Sequence, residues 1–560
     1  MRLRSVLAEA AAALVAGAVL SVLAFWSVVR HLGSSVPSDL GDPLLQSWQL
    51  AWGAHGLLSQ PLHLFDANVF APLPRSLAFS DSLLGYAPFG LLGSGPHAAV
   101  IRYNIVLLFA HALAFAAMYV LVRQLGVGRA AALVAGAAFA FSPFRLAQAS
   151  HLQVLSSGGI PLALAMFARG HGTTARRRPD GERPPVRPIW ALAGWLTAAW
   201  QVTLGFGLGL QLVYLLLAMT GSCVLLAALR RARPPRRLVV ASGLGLIIFL
   251  GVGVAMAVPY RAAVAEHPEA RRDLAQVAFF SPPLRGLVTA PPESRLWGGV
   301  TAPLREGMSW RFEQTLAPGL AITVLAVLGT IWGPLPRRFR AGLVAGVLVL
   351  VSLALGTHGP WGGRAGFLLM FEHLPGWQGV RTPSRLVTLA WLLLAVLGAF
   401  GVQRLVRLLR RTSHVAVVAA LLTAVTVAEG LNTIPVATPR PVPSGLELAA
   451  LPQPVLVLPS AEFEDNTVML WSTAGFPDIV NGASGFRPSG LEALRAATQD
   501  FPSPRAVLAL RVYGVRSVVL LRDQLPGTPL EGAPAIAVGA GFRVASETLD
   551  DDAIVYLLDP

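Results

Sequence analysis

The stretch VLAEAAAALVAGAVLSVLAFWSVV, residues 6–29, followed by Arg30 and then by Ser38-Asp39-Leu40-Gly41-Asp42-Pro43, decides how this chain is read. An apolar run of that length matches the ~20 residues needed to cross ~30 Å of hydrocarbon. It lacks a small-residue cleavage site followed by a polar mature chain, so it reads as a retained span rather than a leader. Asp39 and Asp42 stand at the mouth of that span, in a chain with only 29 Asp and Glu among 560 residues. A carboxylate at the water–lipid boundary can take a proton from a hydroxyl, hold a cation or cap a helix.

Working outward, the composition repeats the message of the first span. Hydrophobic residues make up 54% of the chain and charged ones 13%, with a mean hydropathy of +0.60. A soluble protein of this length carries roughly 25% charged residues. Apolar runs fall at Val6–Val29, Ala99–Val122, Ala130–Ser142, Leu152–Phe167, Ile189–Leu204, Phe206–Leu229, Leu238–Val258, Leu316–Trp332, Ala341–Leu355, Leu386–Phe400 and Val415–Leu431. Each is expected to be a helix, because backbone groups in lipid must be bonded internally. The expectation is an α-helical polytopic membrane protein of about eleven spans. Ser82–Leu92 is apolar too, but Pro88, Gly90 and Gly93 break it, so it reads as an interfacial or re-entrant segment.

The net charge of +15 points to lipid rather than nucleic acid. The chain contains no lysine, and its arginines cluster in short loops: Arg2 and Arg4; Arg123 and Arg129; Arg176 to Arg187; Arg230 to Arg237; Arg337 to Arg340; and Arg404 to Arg411. This is the positive-inside pattern. It places those loops and the N-terminus in the cytoplasm, and an odd number of spans puts the C-terminus outside. The single Cys223 permits no intramolecular disulfide. The remaining polar residues gather in the loops 31–98, 143–151, 259–315 and 356–385, all on the outer side. Beyond the membrane module 1–432, a proline-rich linker at 433–450 leads to residues 451–560. There, β-type runs at Val455–Leu458, Val515–Leu521 and Ala553–Leu557, with a helical stretch at Gly490–Thr498, predict a small extracytoplasmic α/β domain.

Four groups of residues carry a family resemblance. The first is Gly41-Asp42-Pro43-Leu44-Leu45-Gln46-Ser47-Trp48 with Trp52 and Pro61-Leu62-His63-Leu64-Phe65-Asp66-Ala67-Asn68. The second is Ser142-Pro143-Phe144-Arg145 with His151-Leu152-Gln153-Val154-Leu155 and Ile160-Pro161-Leu162. The third is Leu374-Pro375-Gly376-Trp377 with Val380-Arg381-Thr382-Pro383-Ser384-Arg385. The last is Asn481-Gly482-Ala483-Ser484-Gly485-Phe486 with Tyr513-Gly514-Val515-Arg516. Together they resemble the GT-C superfamily of polytopic membrane glycosyltransferases, in particular its YfhO-like bacterial branch.

The resemblance implies an enzyme of the bacterial plasma membrane that moves a sugar from a polyprenyl-phosphate donor to a cell-envelope glycan, lipid or protein, with inversion. An acidic residue of the first outer loop is the expected base, here Asp39 or Asp42. Their Asp-x-x-Asp spacing departs from the adjacent pair of many members and leaves the choice open. Asp42 precedes Pro43 and reads as the better helix cap, which favours Asp39 as base. Arg381 and Arg385, and next Arg145, are the candidate ligands for the donor phosphate, since guanidinium offers a bidentate fork. His151, Asp66, Trp48 and His63 are candidate substrate contacts. No cofactor is required; some members use a divalent cation, and the scattered His, Asp and Glu define no metal site. Plainer roles compete: caps and turns for the aspartates, headgroup contact for the arginines, a turn for Asn481-Gly482. A transporter or flippase of lipid-linked material, or a non-catalytic glycan-binding scaffold, is the rival class. The lack of internal repeats and of charge at mid-membrane weighs against a transporter.

Overall fold

The computed structural model describes residues 3–174, 184–535, 542–547 and 552–558. The arginine run 176–178, with Arg183, lies outside the described residues. A helix occupies each of the eleven apolar runs. Eight helical stretches among the described residues are long and apolar enough to cross a membrane: Arg4–Ala24, Gly95–Gln124, Arg129–Ala147, Leu152–Gly170, Phe206–Leu229, Arg236–Glu266, Pro383–Val406 and Thr412–Gly430. The remaining three runs hold the shorter helices Pro188–Val202 and Leu320–Trp332, and Arg337–Ala354, which has three arginines in its first turn. The broken apolar segment near residue 88 forms a 3-10 helix, Leu84–Leu91, with Pro88 inside it.

The chain divides into two compact units. The first comprises Met1–Trp26, Leu107–Ala257 and Arg272–Ile434. Its helices pack through small residues. A Cβ on Gly329 would stand 1.9 Å from the Leu397 carbonyl oxygen, and one on Gly401 would stand 2.0 Å from that of Leu325. Glycine at both positions lets helices Leu320–Trp332 and Val387–Val406 touch backbone to backbone, the usual device where lipid removes any hydrophobic drive for helix association.

The second unit comprises Ser27–Val106, Val258–Arg271 and Pro435–Pro560. Helix Asp42–Ser59 is its buried spine, with Leu44, Trp48, Leu50 and Trp52 in the core. Two short strands, β1 (Val36–Pro37) and β2 (Val436–Ala437), pair antiparallel. Residues 436–437, within the stretch expected as linker, are thus tied to the first loop. Four more strands form one sheet in the order β3-β4-β6-β5: Val455–Leu458, Ser517–Leu521, Ala553–Leu558 and Phe542–Glu547. β3 and β4 run parallel, joined through helices that include Glu462–Trp471, Ser489–Ala497 and Pro504–Tyr513; the other pairs are antiparallel. The parallel pair is buried at every position and apolar at all but Ser517, as expected of buried parallel strands.

Asn481-Gly482 is built into this sheet rather than a free turn. The Asn481 side chain accepts from the Val457 N–H (2.7 Å) and donates to the Val457 carbonyl (2.9 Å), as a neighbouring strand would. Any Cβ on Gly482 would lie 2.6 Å from the Phe70 ring, so only glycine fits. Beneath them Asp465 is fully buried and accepts from Asn481, the Gly482 N–H, Ser460 and Arg495.

Candidate active site

The acidic loop belongs to the second unit. Pro43 at the second helical position pre-sets the start of helix Asp42–Ser59. The residue in the N-cap position is Gly41, not Asp42, and no side chain caps this helix. Asp42 is the first helical residue, where its charge suits the positive end of the helix dipole. Asp39 accepts the Gly41 N–H through Oδ1 at 2.8 Å, which orients its exposed carboxylate. The expectation that Asp42 serves as cap is therefore corrected. The backbone hydrogen bond falls to Asp39, because Gly41 adopts the non-helical geometry (φ −81°, ψ −107°) that ends the loop. Both carboxylates lie within electrostatic reach of the buried Tyr103.

Three other expected contacts sit in this unit. Trp48 is 2% exposed and donates its indole N–H to Asn68 Oδ1 at 3.0 Å, while Asn68 donates to the Pro477 carbonyl. It is a core pillar, and burial leaves it no face for a substrate. Asp66 fixes a turn: Oδ1 accepts the Arg75 N–H (2.8 Å) and Oδ2 faces His63 Nδ1 at 3.2 Å. His63 is the exposed member of that pair. On the same helix, His55 stacks on Phe476 with 4.2 Å between ring centroids, and burial pulls its pKa below the usual value.

The arginine loops belong to the first unit. Arg145 is 3% exposed, with Nη1 donating to Ser157 Oγ (2.6 Å), Nη2 to the Leu155 carbonyl (2.7 Å) and its guanidinium over the Phe139 ring. It clamps the break between the helices Leu152–Leu155 and Gly159–Gly170, so its expected role on a donor phosphate is corrected to a structural one. His151 Nδ1 stands 2.7 Å from Gln148 Oε1, and Gln148 donates to the Phe312 carbonyl.

Arg385 is engaged as well. Its Nη2 and Nε donate to Glu313 Oε1 at 2.6 and 3.1 Å, and Ser384 Oγ donates to Oε2 at 3.2 Å. Burial pushes the Glu313 carboxyl up, but the charges of Arg385 and His151 outweigh it and hold it below the ordinary carboxylate value. Arg381 lies over the Phe280 ring, 5.3 Å from its centroid. Next to it is Arg272, whose pKa is brought down to about 10, first by burial and then by the Arg381 charge. Phe279, Trp310 and Phe312 form an exposed aromatic group around Phe280, with Trp310 6.2 Å from Phe279 and 5.9 Å from Phe312.

Sequence reasoning named neither Glu313 nor Arg272 as a site residue. The scarcity of carboxylates was the available signal for Glu313, which follows three bulky residues in Trp310-Arg311-Phe312. Nothing in sequence marks Arg272 above its neighbour Arg271. Among the described residues, no group of three or more His, Cys, Asp or Glu side chains is placed to hold a metal ion.

No family model and no curated protein matches the sequence. Among solved structures, the mycobacterial arabinofuranosyltransferase AftD is matched over 100% of this chain and 40% of its own, with a TM-score of 0.53 and 15% identity. The chain thus spans about two fifths of the length of that transferase. Two further structures match at lower scores. An Archaeoglobus fulgidus oligosaccharyltransferase tethered with an acceptor peptide gives 0.44, with 15% identity over 92% of this chain and 69% of its own. ArnT from Cupriavidus metallidurans bound to undecaprenyl phosphate gives 0.33, with 13% identity over 99% and 98%. The fold assignment rests on the first. The chain shares its fold with that transferase, with eight helices among the described residues long and apolar enough to cross a membrane and a C-terminal sheet.

Proposed function

We propose that this chain is a membrane glycosyltransferase that passes a sugar, with inversion, from a polyprenyl-phosphate donor to a cell-envelope acceptor on the outer face of a bacterial plasma membrane. The observation that carries the reading is the fold match to an arabinofuranosyltransferase along the whole chain. The arginine-rich loops, read as cytoplasmic, put the acidic loop and Arg381 on the outer side.

In this reading Asp39 or Asp42 takes the proton of the acceptor hydroxyl as its oxygen attacks the anomeric carbon. The bond from that carbon to the phosphate oxygen breaks, and its electron pair leaves with the lipid phosphate. Arg381 and Arg272 stabilise the charge that builds there. Burial, and after it the Arg381 charge, lowers the Arg272 pKa, and a bound phosphate would favour its charged form. Arg385, occupied by Glu313, positions the loop that carries Arg381 rather than binding phosphate itself. His151, the exposed aromatic group, His63 and Asp66 are the substrate contacts in this assignment.

The test is transfer of radiolabelled arabinofuranose from its polyprenyl-phosphate carrier by the purified chain, comparing wild type with Asp39→Asn and Asp42→Asn. One variant should lose nearly all turnover while keeping wild-type thermal stability. Near-normal turnover in both would remove the first loop from the chemistry. No transfer by the wild type from any polyprenyl-phosphate sugar would favour a transporter or scaffold.

A further inference from the structure

Helix Arg337–Ala354 presents a feature that glycosyl transfer does not use. A cavity of about 460 Å³ opens along it, with Arg337 and Arg340 at one end and Val344, Ala345 and Leu348 along its length. Arg337, Val344, Ala345 and Leu348 are spaced at i, i+7, i+8 and i+11, so they form one stripe on one face of the helix. From Arg337 to Leu348 that stripe rises roughly 16 Å at ~1.5 Å per residue. Half of a ~30 Å hydrocarbon core is about 15 Å. The stripe therefore runs from headgroup depth to the bilayer middle, and Leu348 is 65% exposed at its far end.

The polar end is built to meet an anion. Arg340 Nη1 donates to the carbonyls of Thr330 and Ile331, at 2.6 and 2.5 Å, which fixes the guanidinium against the end of helix Leu320–Trp332. The Arg340 Nε is buried without a hydrogen-bond partner. The sequence contains no Asp or Glu from residue 314 to residue 371, so no carboxylate close by in the sequence neutralises the three arginines. The arginines also crowd the positive end of the helix dipole, and no side chain caps it. An anion at this end would satisfy the uncapped amide groups and the arginines together.

We propose that this groove holds an anionic phospholipid, its phosphate between Arg337 and Arg340 and one acyl chain along Val344, Ala345 and Leu348. A stripe one leaflet deep suits an acyl chain, and is too short for a polyprenol. The lipid occupies the leaflet that faces the arginine-rich loops. The site is separate from the Arg272–Arg381 pair.

Native mass spectrometry of the full chain in detergent, titrated with dioleoylphosphatidylglycerol, tests this. The wild type should retain one such lipid in preference to dioleoylphosphatidylcholine. Arg337→Gln should weaken it about fivefold, the usual effect of one basic side chain near a lipid surface. Ala345→Trp, which fills the stripe and keeps every arginine, should weaken it at least as much. Arg411→Gln, the same charge change in another loop, should leave it unaltered. The proposal is overturned if Arg337→Gln and Ala345→Trp bind like wild type, or if Arg411→Gln weakens binding equally. It is also overturned if phosphatidylcholine binds as well, if millimolar inorganic phosphate displaces the lipid, or if undecaprenyl phosphate is preferred.

Discussion

Removing the Glu313 carboxylate should destabilise the first unit more than any substitution among the proposed phosphate arginines. The side chain is 2% exposed and accepts three hydrogen bonds, two from Arg385 and one from Ser384. Glu313→Ala deletes all three and leaves a guanidinium that is only 21% exposed without its counter-charge. Breaking one partner out of a buried ion pair costs about 3–5 kcal/mol. The partial exposure of Arg385 lets water recover some of that, so the expected loss is about 3 kcal/mol. Glu313→Gln keeps the shape and most of the hydrogen bonding but not the charge, and should cost about half as much. In the double variant Glu313→Ala/Arg385→Met the stranded charge is gone, so the two losses should fall short of additivity by at least ~1 kcal/mol. Reversible unfolding in mixed micelles, followed by tryptophan fluorescence, measures all five species: wild type, Glu313→Ala, Glu313→Gln, Arg385→Met and the double variant. The folded carboxyl titrates below its usual 4.5. Its contribution is therefore complete above the ordinary carboxylate range and is lost as pH falls through the depressed folded value. The wild type should lose stability on acidification, while Glu313→Gln should be flatter over that window. A Glu313→Ala variant within ~0.5 kcal/mol of wild type, or strict additivity in the cycle, would refute the reasoning.

Three other outcomes are expected. In the acidic loop, Asn at the true base should cut turnover by about 10²–10⁴-fold; Asp39→Asn keeps an oxygen for the Gly41 N–H, so its fold should be intact, and circular dichroism with a turnover assay separates the two effects. Arg381→Lys keeps charge but loses the planar fork, and should lower transfer roughly ten- to a hundredfold, the kinetic equivalent of ~1.5–3 kcal/mol for a charged hydrogen bond; wild-type rates would restrict Arg381 to stacking on Phe280. Gly401→Val forces a side chain into the Leu325 backbone and should destabilise by about 1–3 kcal/mol or more, whereas Gly342→Val, at a position with nothing within 4 Å, should be nearly neutral.

How much of this was legible in sequence depends on how far apart the partners lie. β3 was read at its observed bounds, Val455–Leu458, because its run is wholly apolar and flanked by Pro454 and Pro459. β4 begins two residues later than the apolar run. Gly514 takes a positive φ of 92°, and the Val515 N–H returns to the Leu510 carbonyl, so both residues finish the preceding helix. β5, Phe542–Glu547, was missed: FRVASE has no clean alternation, and it is an edge strand paired only with β6 across a register shift. The expected outer-loop location of the candidate residues came from arginine asymmetry, a property of the whole chain. Their individual roles did not, because those are set by remote partners. Trp48 is fixed by Asn68 and Arg385 by Glu313, and the Arg272 pKa is lowered by burial and then by the Arg381 charge; no local pattern announces such pairs. Asp42 was misread as a cap because sequence shows the proline that follows it but not the backbone of Gly41.

The central claim is that sugar arrives on a lipid phosphate. Its most direct test is to give the purified full chain, in one assay, a polyprenyl-phosphate sugar and the matching nucleotide sugar, each with a different isotope, and to determine the anomeric configuration of the product. The account predicts that only the isotope from the lipid carrier enters product, with inverted configuration and release of polyprenyl phosphate. Incorporation from the nucleotide sugar with no lipid carrier present, or retention of configuration, would contradict it.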